Sequence, residues 1–134
     1  METYGVDHVI LTVSDAERSL KFYQDVLGFS TTVMTEGANG TFYFKAGPAW
    51  IFVVASHAPI PGDRFSEHRI GLDHFAFGAP SREALDAFAQ KLKFEGVATN
   101  GVEQYHSTGN YYVAFRDPDN IQLEYWLPKP QTGA

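Results

Sequence analysis

The chain has 134 residues, 44% of them hydrophobic and 15% aromatic, with a net charge of −6 and no cysteine. That length supports one domain, 1–134, with its own core, and the negative charge argues against a nucleic-acid partner. The absence of thiols excludes a disulfide framework, thiol catalysis and cysteine-held zinc. With no apolar run long enough to span a membrane and no signal-peptide pattern, a cytoplasmic protein is expected.

The chain opens on Gly5-Val6-Asp7-His8-Val9-Ile10-Leu11. Read as a strand, this puts Val9, Leu11 and Val13 on one face and His8, Ile10 and Thr12 on the other. Ser14-Asp15-Ala16-Glu17 then reads as a capping box, with Ser14 as N-cap and a carboxylate three residues on. Ala16, Leu20, Tyr23 and Leu27 recur at helical spacing, and Gly28 supplies the stop. Three strands follow at Phe29–Thr35, Thr41–Ala46 and Trp50–Ser56, with turns at Gly37-Ala38-Asn39-Gly40 and Gly47-Pro48. The stretch 57–69, rich in Pro, Gly and charge, reads as a linker or pocket-covering loop.

The same order then returns. Gly71-Leu72-Asp73-His74-Phe75-Ala76-Phe77 repeats the Gly-apolar-Asp-His-apolar-apolar-apolar pattern of the first strand. A helix is predicted from Ser81, with Leu85, Phe88 and Leu92 on one face and Gly96 as the stop. Strands follow at about Ala98–Gln104, Tyr111–Arg116 and Ile121–Leu127, and Asp117-Pro118-Asp119-Asn120 reads as a tight turn. Two tandem βαβββ modules, 1–57 and 70–128, therefore make an α+β protein. On its last strand Ile121, Leu123 and Tyr125 face the core, and Gln122, Glu124 and Trp126 face away.

His8, His74 and Glu124 thus occupy the faces turned from the helices. Two imidazoles and one carboxylate suit a divalent metal that keeps open coordination positions. A lone strand histidine is usually structural; its repetition on an equivalent strand argues for a ligand. His106, beside Tyr105, is the candidate for general acid/base work. His57 and His68 are weaker candidates on the loop. Arg64 and Arg69 suit an anion but also balance Asp63 and Glu67. Trp50, Phe52, Tyr112 and Trp126 are candidate substrate-binding residues, with core packing as the alternative.

These features resemble the vicinal oxygen chelate superfamily, which includes glyoxalase I, extradiol dioxygenases, fosfomycin-resistance enzymes and bleomycin-resistance proteins. The resemblance rests on His8 with Val13-Ser14-Asp15, on Ser19-Leu20-Lys21-Phe22-Tyr23-Gln24-Asp25-Val26-Leu27-Gly28-Phe29, on the His74 motif, and on Phe115-Arg116-Asp117-Pro118-Asp119-Asn120-Ile121-Gln122-Leu123-Glu124. It implies a curved, cup-shaped mixed sheet with the helices outside, a metal held by His8, His74 and Glu124, and a homodimer. Trp50–Ser56 lacks the fourth carboxylate ligand of glyoxalase I. The remaining trio resembles the facial triad of Fe2+ oxygenases, so Fe2+ is favoured over Mn2+, Ni2+, Zn2+ or Co2+. Other departures separate the chain from each named activity. Ala114 and Gly47-Pro48-Ala49-Trp50 stand where extradiol enzymes carry tyrosine and histidine. Ile10 and Gln104 stand where fosfomycin-resistance enzymes carry threonine and lysine. The expected function is a metal-dependent enzyme on a small oxygenated molecule, dioxygenase-like ahead of glyoxalase, lyase or thiol-transferase chemistry. The alternative is a metal-free protein that sequesters a drug or metabolite.

Overall fold

A computed structural model describes residues 1–34 and 40–129, and its contacts divide the chain into two units, Met1–Asp63 and Arg64–Ala134. The first unit runs β1 (His8–Val13), α1 (Ala16–Lys21) with a π-helical turn (Phe22–Val26), β2 (Thr32–Val33), β3 (Phe42–Ala46) and β4 (Ala49–Ala55). The second runs β5 (Phe75–Gly78), α2 (Arg82–Phe94), β6 (Val102–Gln104), β7 (Tyr111–Arg116) and β8 (Gln122–Leu127). Each unit holds one four-stranded mixed sheet, ordered β1-β4-β3-β2 in the first and β5-β8-β7-β6 in the second. In both, the opening strand runs parallel to the last one, and the other pairs are antiparallel. The chain is α+β, built as two βαβββ modules.

The alternation expected from the sequence sets the two cores. Leu11, Val13, Phe42, Phe44, Ile51 and Val53 are buried in the first unit, and Val113, Phe115, Ile121 and Leu123 in the second. Each sheet packs this face on its helix: Tyr23 stacks on Phe44 at 5.6 Å, and Phe88 meets Phe115 and Tyr125 edge-on at 5.1 and 5.2 Å. Full burial of side chains of this size stabilises by about 1.5–3 kcal/mol each. Both repeat motifs open on a glycine at positive φ, 108° at Gly5 and 139° at Gly71, a backbone that other residues adopt only with strain.

Four local expectations change. The N-cap of α1 is Asp15, not Ser14: its carboxylate accepts from the Arg18 N–H at 3.0 Å, while Ser14 Oγ accepts from the Arg18 guanidinium at 2.9 Å. A carboxylate there also complements the helix dipole. The first helix is not α-helical throughout, because Leu27 N–H reaches back to the Phe22 carbonyl at 3.0 Å and widens the last turn. Phe29 extends that turn, bonding to the Tyr23 carbonyl and stacking on Phe44 at 4.2 Å, so β2 starts later than predicted. Likewise β6 begins at Val102, since Thr99 Oγ1 bonds the Ala114 carbonyl at 2.8 Å and accepts from Gly101 N–H, whose φ is 79°.

Other readings hold. Ser81 caps α2 through the Ala84 N–H at 3.1 Å. Residues 117–120 form the expected turn, with Asp117 Oδ1 accepting from the Asp119 and Ile121 N–H groups at 2.9 and 2.8 Å. Thr35 and Gly37-Ala38-Asn39 of the predicted strand and turn lie outside the described residues.

Candidate metal and substrate site

The second unit brings its histidine and glutamate together. His74 stands just before β5, and Glu124 lies at the centre of β8, where its ladder partners are Ala76 on one side and Ala114 on the other. His74 Nε2 is 3.4 Å from Glu124 Oε2. On the far side of the ring, Nδ1 lies 2.6 Å from Asp73 Oδ1. An ionised carboxylate only accepts, so the imidazole donates its Nδ1–H there, which leaves Nε2 as the nitrogen that can face a ligand. Glu124 is buried, with 7% of its surface exposed. Burial raises its pKa above the usual carboxylate value; His74 opposes the rise, and Asp73 and Glu103 add to it. Asp73 and Glu103 thus add their negative charge to that of Glu124, and a cation relieves that repulsion.

The first unit repeats half of this. His8 Nδ1 lies 2.7 Å from Asp7 Oδ2, so its Nε2 is freed in the same manner. The residue equivalent to Glu124 is Phe52, paired with Ile10 and Tyr43, and its ring meets the His8 ring edge-on at 6.0 Å. Among the described residues no group of three or more His, Cys, Asp or Glu side chains that could hold a metal ion is gathered. The donors present still fit a divalent ion. A separation of 3.4 Å suits two ligands each about 2.1 Å from a common centre, and both imidazoles are oriented as ligating histidines usually are, by a carboxylate on the other nitrogen.

The aromatic candidates divide between the units. Tyr112 stacks on Trp126 at 5.6 Å, and Tyr105 lies 5.8 Å from Trp126, which makes an aromatic wall beside Glu124 on the same face. The Tyr112 hydroxyl is held above its ordinary pKa by burial and then by Glu103 and Glu124, so it remains a donor at neutral pH. In the first unit Trp50 meets Tyr43 edge-on at 5.7 Å under the Lys45 ammonium, and Phe52 lies 5.5 Å from Tyr43. His106 is exposed in the turn after β6, its ring 5.1 Å from Tyr105. His57 and His68 are exposed, and the Arg69 guanidinium donates to the Arg64 carbonyl at 2.8 Å.

The sequence reading assigned no role to Asp7, Asp73, Glu103 or Arg116. For the two aspartates the signal was present, since one precedes each histidine in the repeat. Glu103 and Arg116 required the register: Glu103 pairs with Tyr112, and Arg116 with Gln122, on the face of Glu124.

Residues 5–125 match the family model for the Glyoxalase/Bleomycin resistance protein/Dioxygenase superfamily. The chain belongs to that superfamily. It is 31% identical over 121 residues to a metallothiol transferase, FosB, of Shouchella clausii, an alignment covering 90% of this chain and 77% of that enzyme. A manganese-dependent 2,3-dihydroxybiphenyl 1,2-dioxygenase of Geobacillus genomosp. 3 is 24% identical over 92% of this chain, which covers 37% of that enzyme. Among solved structures, a glyoxylase/bleomycin resistance protein/dioxygenase domain from Frankia sp. EAN1pec superposes with a TM-score of 0.79 at 30% identity, over 96% of this chain and all of that one (100%). Superfamily members with enzyme names thus surround the chain. Among the described residues no helix is long and apolar enough to cross a membrane.

Proposed function

We propose that the protein is a divalent-metal enzyme acting on a small molecule that chelates the ion through two neighbouring oxygens. The observation that carries this is the His74–Glu124 pair, 3.4 Å apart, with Asp73 holding the far nitrogen of the ring. The proposed ligands are His8, His74 and Glu124. When bound, such an ion supplies Lewis-acid stabilisation of an oxyanion and, as Fe2+, a position for dioxygen beside the substrate. The chain's own residues do the rest. Asp7 and Asp73 fix the ring tautomers, and Ala76 and Ala114 keep the space beside Glu124 open. The Tyr112–Trp126 stack offers an apolar wall to the substrate and a hydroxyl that donates, and His106 is the proposed proton carrier.

The three-ligand set, without a carboxylate on β4, favours dioxygenase-like chemistry with Fe2+. The 31% identity to a metallothiol transferase supports a second reading, addition of a thiol to the chelated substrate, with Mn2+ or another divalent ion. Both readings include a homodimer, as the superfamily resemblance implies, and a cytoplasmic protein, as the sequence composition suggests. Elemental analysis of anaerobically purified protein, beside a His74→Ala control, tests the proposal. Stoichiometric iron that the control loses supports the first reading and directs work to catechols with oxygen uptake. Another divalent ion supports the second. No metal in the wild type after reconstitution overturns both and leaves metal-free sequestration.

A further inference from the structure

Asp73 and His74 lie ahead of their sheet, because the β5–β8 ladder begins at Phe75 opposite Leu123. In the first unit the matching residues are tied in. His8 is opposite Trp50, and the Trp50 N–H donates to the Asp7 carbonyl at 2.9 Å.

A different brace stands beside the second motif. Glu67, on the segment leading to it, engages both arms of the Arg116 guanidinium, at 2.8 Å from Nη2 and 3.0 Å from Nη1. Arg116 Nη1 also donates to the Asn120 carbonyl at 3.2 Å. The segment is pinned again two residues earlier. Phe65 N–H donates to the Asp119 carbonyl at 3.1 Å, and Asn120 Nδ2 donates to the Phe65 carbonyl at 3.0 Å. The equivalent of Arg116 in the first unit is Lys45, which lies instead over the Trp50 ring at 4.9 Å. Bidentate pairing fixes orientation as well as distance, which a lysine ammonium does not do. Arg116 also feels Asp73: its pKa is raised first by the Glu67 hydrogen bonds, and attraction to Glu67 and Asp73 adds to this.

We propose that the Glu67–Arg116 pair is a positioning device for the Asp73–His74 dyad, doing for the second histidine what the ladder does for the first. The inference rests on the reading of His74 as a metal ligand. Arg116 is a positioning residue: it steadies the segment and the Asp73 carboxylate, and Asp73 in turn sets the His74 ring.

His8 provides an internal control. Ring-nitrogen NMR of the metal-free protein is recorded for wild type, Glu67→Gln, Arg116→Ala and Arg116→Lys, and each is then titrated with Mn2+. In Glu67→Gln and Arg116→Ala the His74 ring nitrogens are expected to move toward mixed tautomers while those of His8 stay in place. Arg116→Lys should recover part of the change, and Mn2+ affinity should fall about tenfold in the first two variants. An unchanged His74 pattern in both overturns the positioning role whatever Mn2+ does, and so does an equal change at His8, which would mean general loosening. A selective His74 change in a protein that binds no Mn2+ supports the positioning role and overturns the metal reading instead.

Discussion

In the first unit the strand partner of Ile10 is Phe52; in the second, the strand partner of Ala76 is Glu124. The scaffolds agree down to the register, and both present an aspartate-held imidazole beside that position. Their faces differ in bulk and in charge. Phe52 is flanked by Ile10 and Tyr43, so this face is filled by large apolar groups. Glu124 is flanked by two alanines, and its carboxylate is desolvated. A duplicated fold can therefore leave one copy to supply an imidazole and an aromatic surface, while the other concentrates the acidic donors. The desolvated carboxylate is the part that folding alone does not favour, since burying a charge is costly unless it is paired.

The largest effect should be one that both units share. Ile51 and Leu123 occupy matching core positions and are fully buried (0% exposed). Ile51→Ala and Leu123→Ala should each cost about 2–5 kcal/mol in urea unfolding. Strongly unequal losses would break the equivalence of the two cores.

The paired positions Phe52 and Glu124 should answer with opposite signs. Phe52→Ala removes a half-buried ring and should cost about 1–2 kcal/mol. Glu124→Gln in metal-stripped protein should raise the melting temperature at neutral pH while lowering divalent-metal affinity at least a hundredfold, about 2.7 kcal/mol. The sign follows from linkage. Because the folded-state pKa of Glu124 is raised above 4.5, the folded protein binds more protons than the unfolded chain, and stability falls as pH rises through that window. The glutamine variant should lack this fall. A melting temperature that drops in Glu124→Gln would instead mark the His74–Glu124 contact as a structural ion pair.

Glu67 has the reverse shift and should give the smallest effect. Its hydrogen bonds from Arg116 bring its pKa from 4.5 down to about 2. Its contribution to stability is therefore present above pH 4.5 and lost as pH falls toward about 2. Acid unfolding followed by circular dichroism should be shallower in Glu67→Gln across that interval, the variant being slightly less stable than wild type at pH 7 and converging on it as pH falls toward about 2. The first unit has lysine at the position matching Arg116, so the change should register mainly in the second unit.

Much of this was legible from the residues. Period-two alternation is a local property, so the faces of β1 and β8, including those of His8 and Glu124, could be read before any pairing was known, whereas His74 stands just before β5. The repeated Gly-apolar-Asp-His pattern revealed the duplication, and Ser81 and the 117–120 turn followed from short-range hydrogen-bonding rules. What escaped depended on contacts between distant segments. The late start of β6 comes from Thr99 bonding to Ala114, and that of β2 from Phe29 settling on Phe44. The sequence by itself determined two βαβββ modules with a histidine on each and a glutamate on the last strand. Only the tertiary structure decided that Ala76 and Ala114 flank that glutamate, that Asp73 fixes the His74 ring, and that Glu67 reaches Arg116, 49 residues away. Those outcomes depend on strand register and loop path, which are set by the packed chain as a whole and not by the residues next to each group.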